Sequence, residues 1–162
     1  MNLKQLKIFP ENNYSIELTN DSTSAISNLK NCTVSKEQYV TNWNNQLFIG
    51  KIKENEFELK LSKKLYGDFC IVHGKLENKK GTLEIQTGKI LKILFILIIT
   101  FTLSGMVTAM VQHKFELLFK LMIAIVIIRF IFLELGFRYV SKRLLKRLTE
   151  ELKIKTLQEK RF

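Results

Sequence analysis

Ionisable residues interrupt an otherwise apolar stretch between Phe115 and Val140, among them Lys120, Arg129, Glu134 and Arg138. A charge near the centre of a bilayer costs about 2.5 kcal/mol or more, so such residues mark an ion path, a polar contact or a snorkelling side chain. The guanidinium of Arg129 keeps its proton and presents five donors, so it needs acceptors. If the chain turns near His113, the residues level with Arg129 on the preceding apolar stretch are 97–101. Thr100 is then in reach, with Thr102 and Ser104 one turn nearer the loop, and their hydroxyls can accept. Glu134 is five residues beyond Arg129 and on an α-helix points to a different face. Its natural partners are Arg138 at i+4 or Arg129 of a neighbouring subunit. Two readings stay open: a wet path or intersubunit contact built from Arg129 and the hydroxyls, or an anchor that tolerates Arg129 by snorkelling. Gly105 and Ala109, a small-xxx-small pair, add a surface for helix packing.

Other chemistry is sparse. The two histidines, His73 and His113, are far apart in the chain, and Cys32 and Cys70 form no CxxC pair. Neither a zinc site nor a disulfide framework is expected from that spacing. Asp68, Cys70 and His73 are close in sequence, but strand alternation separates Cys70 from His73. The chain holds no Walker loop, no GxGxxG after a strand, no HExxH and no nucleophile elbow. Catalytic residues, a metal and a cofactor are therefore not expected.

The elements that must position these residues follow from a division in composition. The chain is polar from Met1 to about Gln86, apolar from Ile90 to Val140, and strongly basic from Arg138 onward. Ile93–Val111 carries no charge, and its length matches the ~20 residues that a helix needs to cross a hydrocarbon core. Gln112-His-Lys114 forms a short polar turn, and a second apolar segment returns. The expectation is a membrane protein with three parts. A cytosolic strand-rich domain covers 1–88, and a transmembrane helical hairpin covers 89–140, with helices at about 90–111 and 115–140. A basic amphipathic tail helix covers 141–162 and continues the second membrane helix. For the second segment, a helix lying in the interface or re-entering the same leaflet is the alternative. Arg138, Lys142, Arg143, Lys146 and Arg147 beside the second helix place that flank in the cytoplasm by the positive-inside rule. Two crossings then put the N-terminal domain there too. Met1–Leu6 shows no apolar run and no cleavage site, so no secretory signal is expected at that end.

The polar half reads as strands. Leu47–Ile52 and Phe57–Leu61 flank Lys53-Glu-Asn-Glu56, and Phe69–Leu76 and Thr82–Gln86 follow, which predicts a four-stranded antiparallel meander. Leu3–Phe9 and Tyr14–Leu18 are candidates for two further strands, and Asn20–Asn45 for a short helix with loops. The fold class expected is a small antiparallel sheet or half-barrel followed by the hairpin and a basic C-terminal helix. One apolar sheet face then needs cover from the polar segment, a partner subunit or the headgroup region. In the tail, Leu145, Leu148 and Leu152 recur at helical spacing, and Glu151 and Lys155 form an i,i+4 pair. Arg138, Lys142, Arg143, Lys146 and Arg147 attract anionic lipid, at about 1 kcal/mol per basic residue near the surface. That anchoring accounts for the net charge of +11, so nucleic acid is not the expected partner.

The segments Phe48-Ile-Gly-Lys-Ile52, Asn55-Glu-Phe-Glu-Leu59, Phe69 with Gly74-Lys75, and Gly81-Thr-Leu-Glu-Ile85 resemble a group of small uncharacterised bacterial membrane proteins. Those proteins have an N-terminal β-domain, two membrane helices and a charged tail. The resemblance runs from Phe48 to the tail. It implies a bacterial cytoplasmic membrane and this layout, and no activity. The functional expectation is a non-enzymatic protein whose β-domain binds a small cytosolic ligand or a partner and is coupled to an oligomeric transmembrane bundle. A β-domain joined to two membrane helices also resembles the membrane-disrupting effectors of anti-phage systems, although those place the helices first. An accessory or scaffold subunit is the alternative.

Overall fold

Alternation of apolar side chains builds the sheet. In the computed structural model, which describes residues 9–35, 47–62 and 67–160, the predicted meander is present as β3 (Phe48–Lys53), β4 (Glu56–Leu61), β5 (Cys70–Glu77) and β6 (Lys80–Thr87). Phe57, Leu59 and Leu61 of β4 are buried, while Glu58 and Lys60 turn away from the core, as period-2 alternation requires. Glu54 and Asn78 take left-handed backbone conformations in the two tight turns of the meander. The sheet is larger than the meander. β1 (Glu11–Leu18) lies against β6, and Leu3–Ile8 of the other expected strand falls outside the described residues. A short β2 (Thr33–Ser35) runs parallel to β3, so the sheet is mixed, not purely antiparallel. The order is β2-β3-β4-β5-β6-β1-β7.

The seventh strand corrects the expected tail. Helix does not continue over 141–162: it ends at Leu152, Lys153 adopts a left-handed cap, and β7 (Ile154–Glu159) joins the free edge of β1. The expected Glu151–Lys155 helical pair is lost with that break. Lys155 is the extra residue of a bulge, since Glu17 faces Thr156 while Leu18 faces Ile154. A lysine and a bulge blunt this outermost strand against further pairing.

Cover for the apolar face comes from two helices. Helix α1 (Ser22–Asn31), in the polar segment, contributes Ala25, Ile26 and Leu29, and α4 (Gly136–Leu152) contributes Phe137, Val140, Leu144, Leu148 and Leu152. They close over Phe48, Leu59, Val72, Leu83, Ile85 and Ile16 in one core. The boundary expected at residue 88 therefore does not confine the folded unit, because its core draws on the chain both before and after the apolar stretch. Phe57 also packs across Gly74, occupying the space that a Cβ there would need.

Two long helical stretches stand between β6 and α4. Helix α2 (Lys89–Val111) starts at Gly88, which approaches the Asp68 carbonyl so closely that a Cβ would lie 1.8 Å from that oxygen. After the turn at Gln112–Lys114, helix α3 (Phe115–Ile127) runs back beside α2. It continues through a π-helical stretch, Ile128–Leu135, directly into α4. The tail thus continues the second helix past 140, as expected, in one helical path to Leu152.

Candidate functional site

The contact between α2 and the returning helix is a narrow seam. On α2, Leu91, Phe95, Thr102 and Ala109 are buried and Ile98 and Gly105 half-buried. This alternation of three- and four-residue steps is that of a coiled-coil seam. Leu118, Leu121, Ile125 and Ile128 make the matching half-buried row on the other side. Gly105 faces Leu121, with 3.5 Å between its Cβ position and the leucine methyl, and Ala109 is 2% exposed. The small-residue pair thus packs within the chain. Beyond the seam the surface is apolar: apart from Tyr139 and Leu157, every exposed bulky apolar side chain among the described residues lies between Ile90 and Leu135.

The charged residues meet where the returning helix reaches the sheet. Leu133, fully buried, seats against Leu91 and Phe95, with Phe9, Phe69, Ile99 and Ile128 around them. Together with the Gly105–Leu121 contact, this puts Arg129 opposite about residue 97, at the sheet end of the expected 97–101 level. The Arg129 guanidinium lies 3.5 Å from the Glu134 carboxylate of the same chain. That contact corrects the expectation of a different face. The expectation assumes α geometry, in which five residues turn about 500° and leave the two side chains about 140° apart. In a π-helix the i→i+5 bond makes five residues about one turn, so Arg129 and Glu134 share a face. Arg138 Nε donates to the other Glu134 oxygen at 3.0 Å, the i+4 pair read from the sequence. One carboxylate is thus shared by two guanidinium groups, one on each side of the π–α junction.

Two of the hydroxyls named with Arg129, those of Thr100 and Thr102, bond along their own helix. Thr100 donates to the Ile96 carbonyl at 2.9 Å, Thr102 to Ile98 at 2.8 Å, and Thr108 to the Ser104 carbonyl at 3.0 Å. Such i−4 bonds satisfy a hydroxyl in apolar surroundings. Arg138, Lys142, Arg143, Lys146 and Arg147 are all exposed and form one stripe on α4, opposite the side that packs on the sheet. Arg143 lies over the Tyr139 ring, 5.2 Å from its centre. Phe9 meets Phe95 edge to face at 5.8 Å, and Lys92 Nζ is 5.5 Å from the Phe9 ring, so aromatic and cationic groups cluster at the joint of sheet and α2.

The sheet's outer face carries a second feature that single-residue reading does not reveal. Register aligns Lys51, Glu58, His73, Glu84 and Asn13 in one row across five strands. Lys51, Glu58, His73 and Glu84 of this row, with Lys53, Glu56, Lys75 and Thr82, line an open groove of about 450 Å³. Alternating charges on neighbouring strands are the signal that could have found it. No group of three or more His, Cys, Asp or Glu suited to a metal occurs among the described residues. Cys70 faces the core, 3.8 Å from the Phe137 carbonyl, and His73 faces the groove, so the two do not meet. Burial pushes the Cys70 thiol up to about 12. Burial, then Glu151 beside it, pushes Cys32 up to about 11. Neither thiol is a nucleophile at neutral pH. Asp68 pairs with Lys60. No protein-family model, curated protein or solved structure matches the chain.

Proposed function

We propose that this is a non-enzymatic, multi-pass protein of the bacterial cytoplasmic membrane, in which α2 and the returning helix cross the bilayer as a hairpin. The observation that carries the reading is the apolar surface from Ile90 to Leu135, exposed on nearly every side outside one seam. A soluble protein rarely exposes more than a few hundred Å² of contiguous apolar surface. The 23-residue length of α2 is about 35 Å at 1.5 Å per residue, enough to cross the hydrocarbon core. One sheet and one core drawn from both flanks support an even number of crossings, with the N- and C-terminal flanks on the same, cytoplasmic side. The stripe Arg138, Lys142, Arg143, Lys146 and Arg147 meets the anionic inner leaflet, and Tyr139 and the Phe9–Lys92 cluster stand at headgroup level. The layout agrees with the group of two-helix proteins that the segments from Phe48 onward resemble.

Within that frame, the β-domain binds a small cytosolic ligand or a partner in the groove of Lys51, Glu58, His73 and Glu84. Helix α4 passes the signal to the membrane pair, whose oligomer acts as an effector or channel that disrupts the membrane, as in anti-phage defence. A second reading, a membrane-anchored accessory or scaffold subunit, is favoured by the Arg129–Glu134 contact, which pairs the charge within one chain. Expression with a potential-sensitive dye tests the two. Depolarisation that Arg129→Leu abolishes supports the effector. Co-purification of one stoichiometric partner without depolarisation supports the scaffold. Extraction of the chain into buffer without detergent would remove the basis of both.

A further inference from the structure

We infer that Ile128–Leu135 is a register switch: a surplus residue stored in π form and held by the Arg129–Glu134 contact, whose release rotates α3 against α4. Three observations lead there. The helical path from Phe115 to Leu152 is unbroken, so its two halves are mechanically one element. The halves are held very differently, since α4 is locked into the sheet core by Phe137, Val140, Leu144, Leu148 and Leu152, whereas α3 has no fully buried residue. Between them the backbone departs from α geometry over eight residues. Relative to an α-helix, a π stretch of this length accommodates about one extra residue. Its return to α geometry, with α4 fixed, turns α3 by about 100° and shifts it by about 1.5 Å along its axis.

The charges sit where they sense this change. Arg129 and Glu134 meet across five residues, a spacing that closes only in π geometry, while Glu134 and Arg138 meet across four, the α spacing. Conversion therefore opens the first contact and keeps the second. Leu133, buried against Leu91 and Phe95, is the apolar half of the same latch. Gly136 follows at once, near the Phe69 ring, and the low helix propensity of glycine eases a change of winding there. The change of winding is a property of the helix, and its failure leaves the membrane reading standing.

The test is a spin-label distance between Val126→Cys on α3 and Lys142→Cys on α4, both exposed sites. It uses the full chain in nanodiscs, with Cys32→Ala and Cys70→Ala as background. Arg129→Leu is expected to add or enrich a second distance, displaced by up to roughly 5 Å for a 100° turn at these positions. Deleting Ile131 removes the surplus residue and brings Arg129 and Glu134 to the α spacing. In that background the original distance persists, and adding Arg129→Leu leaves it unchanged. Glu134→Gln serves as the second release variant should Arg129→Leu not fold, and the exchange Arg129→Glu with Glu134→Arg restores the original distance. An unaltered distribution in both release variants overturns the switch. So does an equal shift with and without Ile131, which would show an effect that does not pass through the register.

Discussion

Leu148→Ala measures how firmly α4 belongs to the sheet. Leu148 is fully buried among sheet residues. Truncation removes about three methylene equivalents at about 0.8 kcal/mol each, and the residual cavity brings the expected loss to about 3 kcal/mol. At 1.4 kcal/mol per decade, that is a fall of roughly 150-fold in the folding equilibrium. Native-state hydrogen exchange in detergent reads it directly. The amides of Val72, Leu83 and Ile85, inside the central strands, open with the whole sheet, and their protection should drop by that factor. Arg147→Ala is the control one residue away, exposed and about 100° around the helix, and should stay within about 0.5 kcal/mol of wild type. If Leu148→Ala proves as mild as Arg147→Ala, the packing of α4 on the sheet is refuted, and with it the coupling of the β-domain to the apolar helices.

Three further outcomes follow from particular contacts. The folded Cys70 and Cys32 thiols hold their protons to about 12 and about 11, against an ordinary value of 9.0. The folded state then binds more protons than the unfolded one above that ordinary value. Their contribution is fully present below about pH 9 and is lost as pH rises toward the folded values. Urea midpoints at pH 8 and pH 10.5 should therefore fall for wild type and fall less for Cys70→Ala; equal slopes would contradict the buried thiol. Gly88→Ala forces the start of α2 away from the Asp68 carbonyl and should cost about 1–3 kcal/mol, seen as a lowered thermal midpoint. Gly105→Ala meets only a leucine methyl at ordinary distance and should be neutral or better, since alanine favours helix by about 1 kcal/mol over glycine.

The meander is legible in the sequence because Phe57, Leu59 and Leu61 alternate with charges and the turns carry polar residues. The cover of its apolar face is less so. The spacing of Leu145, Leu148 and Leu152 announces an amphipathic helix, but amphipathicity alone does not distinguish a sheet from a lipid surface as the apolar partner. Leu148 and Leu152 are fully buried as that spacing suggests, and Leu144, not Leu145, is the third buried leucine. The stop at Lys153 lacks the glycine that usually marks a left-handed cap, so β7 is hidden behind a run that favours helix. At the charged junction Arg129, Glu134 and Arg138 are readable as residues, and the Glu134–Arg138 contact as a pair. The Arg129–Glu134 contact is not, because a 3.6-residue period turns them apart. Opposite charges five apart in an apolar run are themselves the clue to π winding.

The most direct test of the account is the sidedness of three single cysteines in a Cys32→Ala, Cys70→Ala background, probed in intact cells with a membrane-impermeant maleimide. Gln112→Cys in the turn between α2 and α3 should react from outside. Glu17→Cys on β1 and Lys146→Cys on α4 should both stay protected until the membrane is opened. Reaction of the turn and the sheet from the same side, or of Glu17→Cys and Lys146→Cys from different sides, would contradict it.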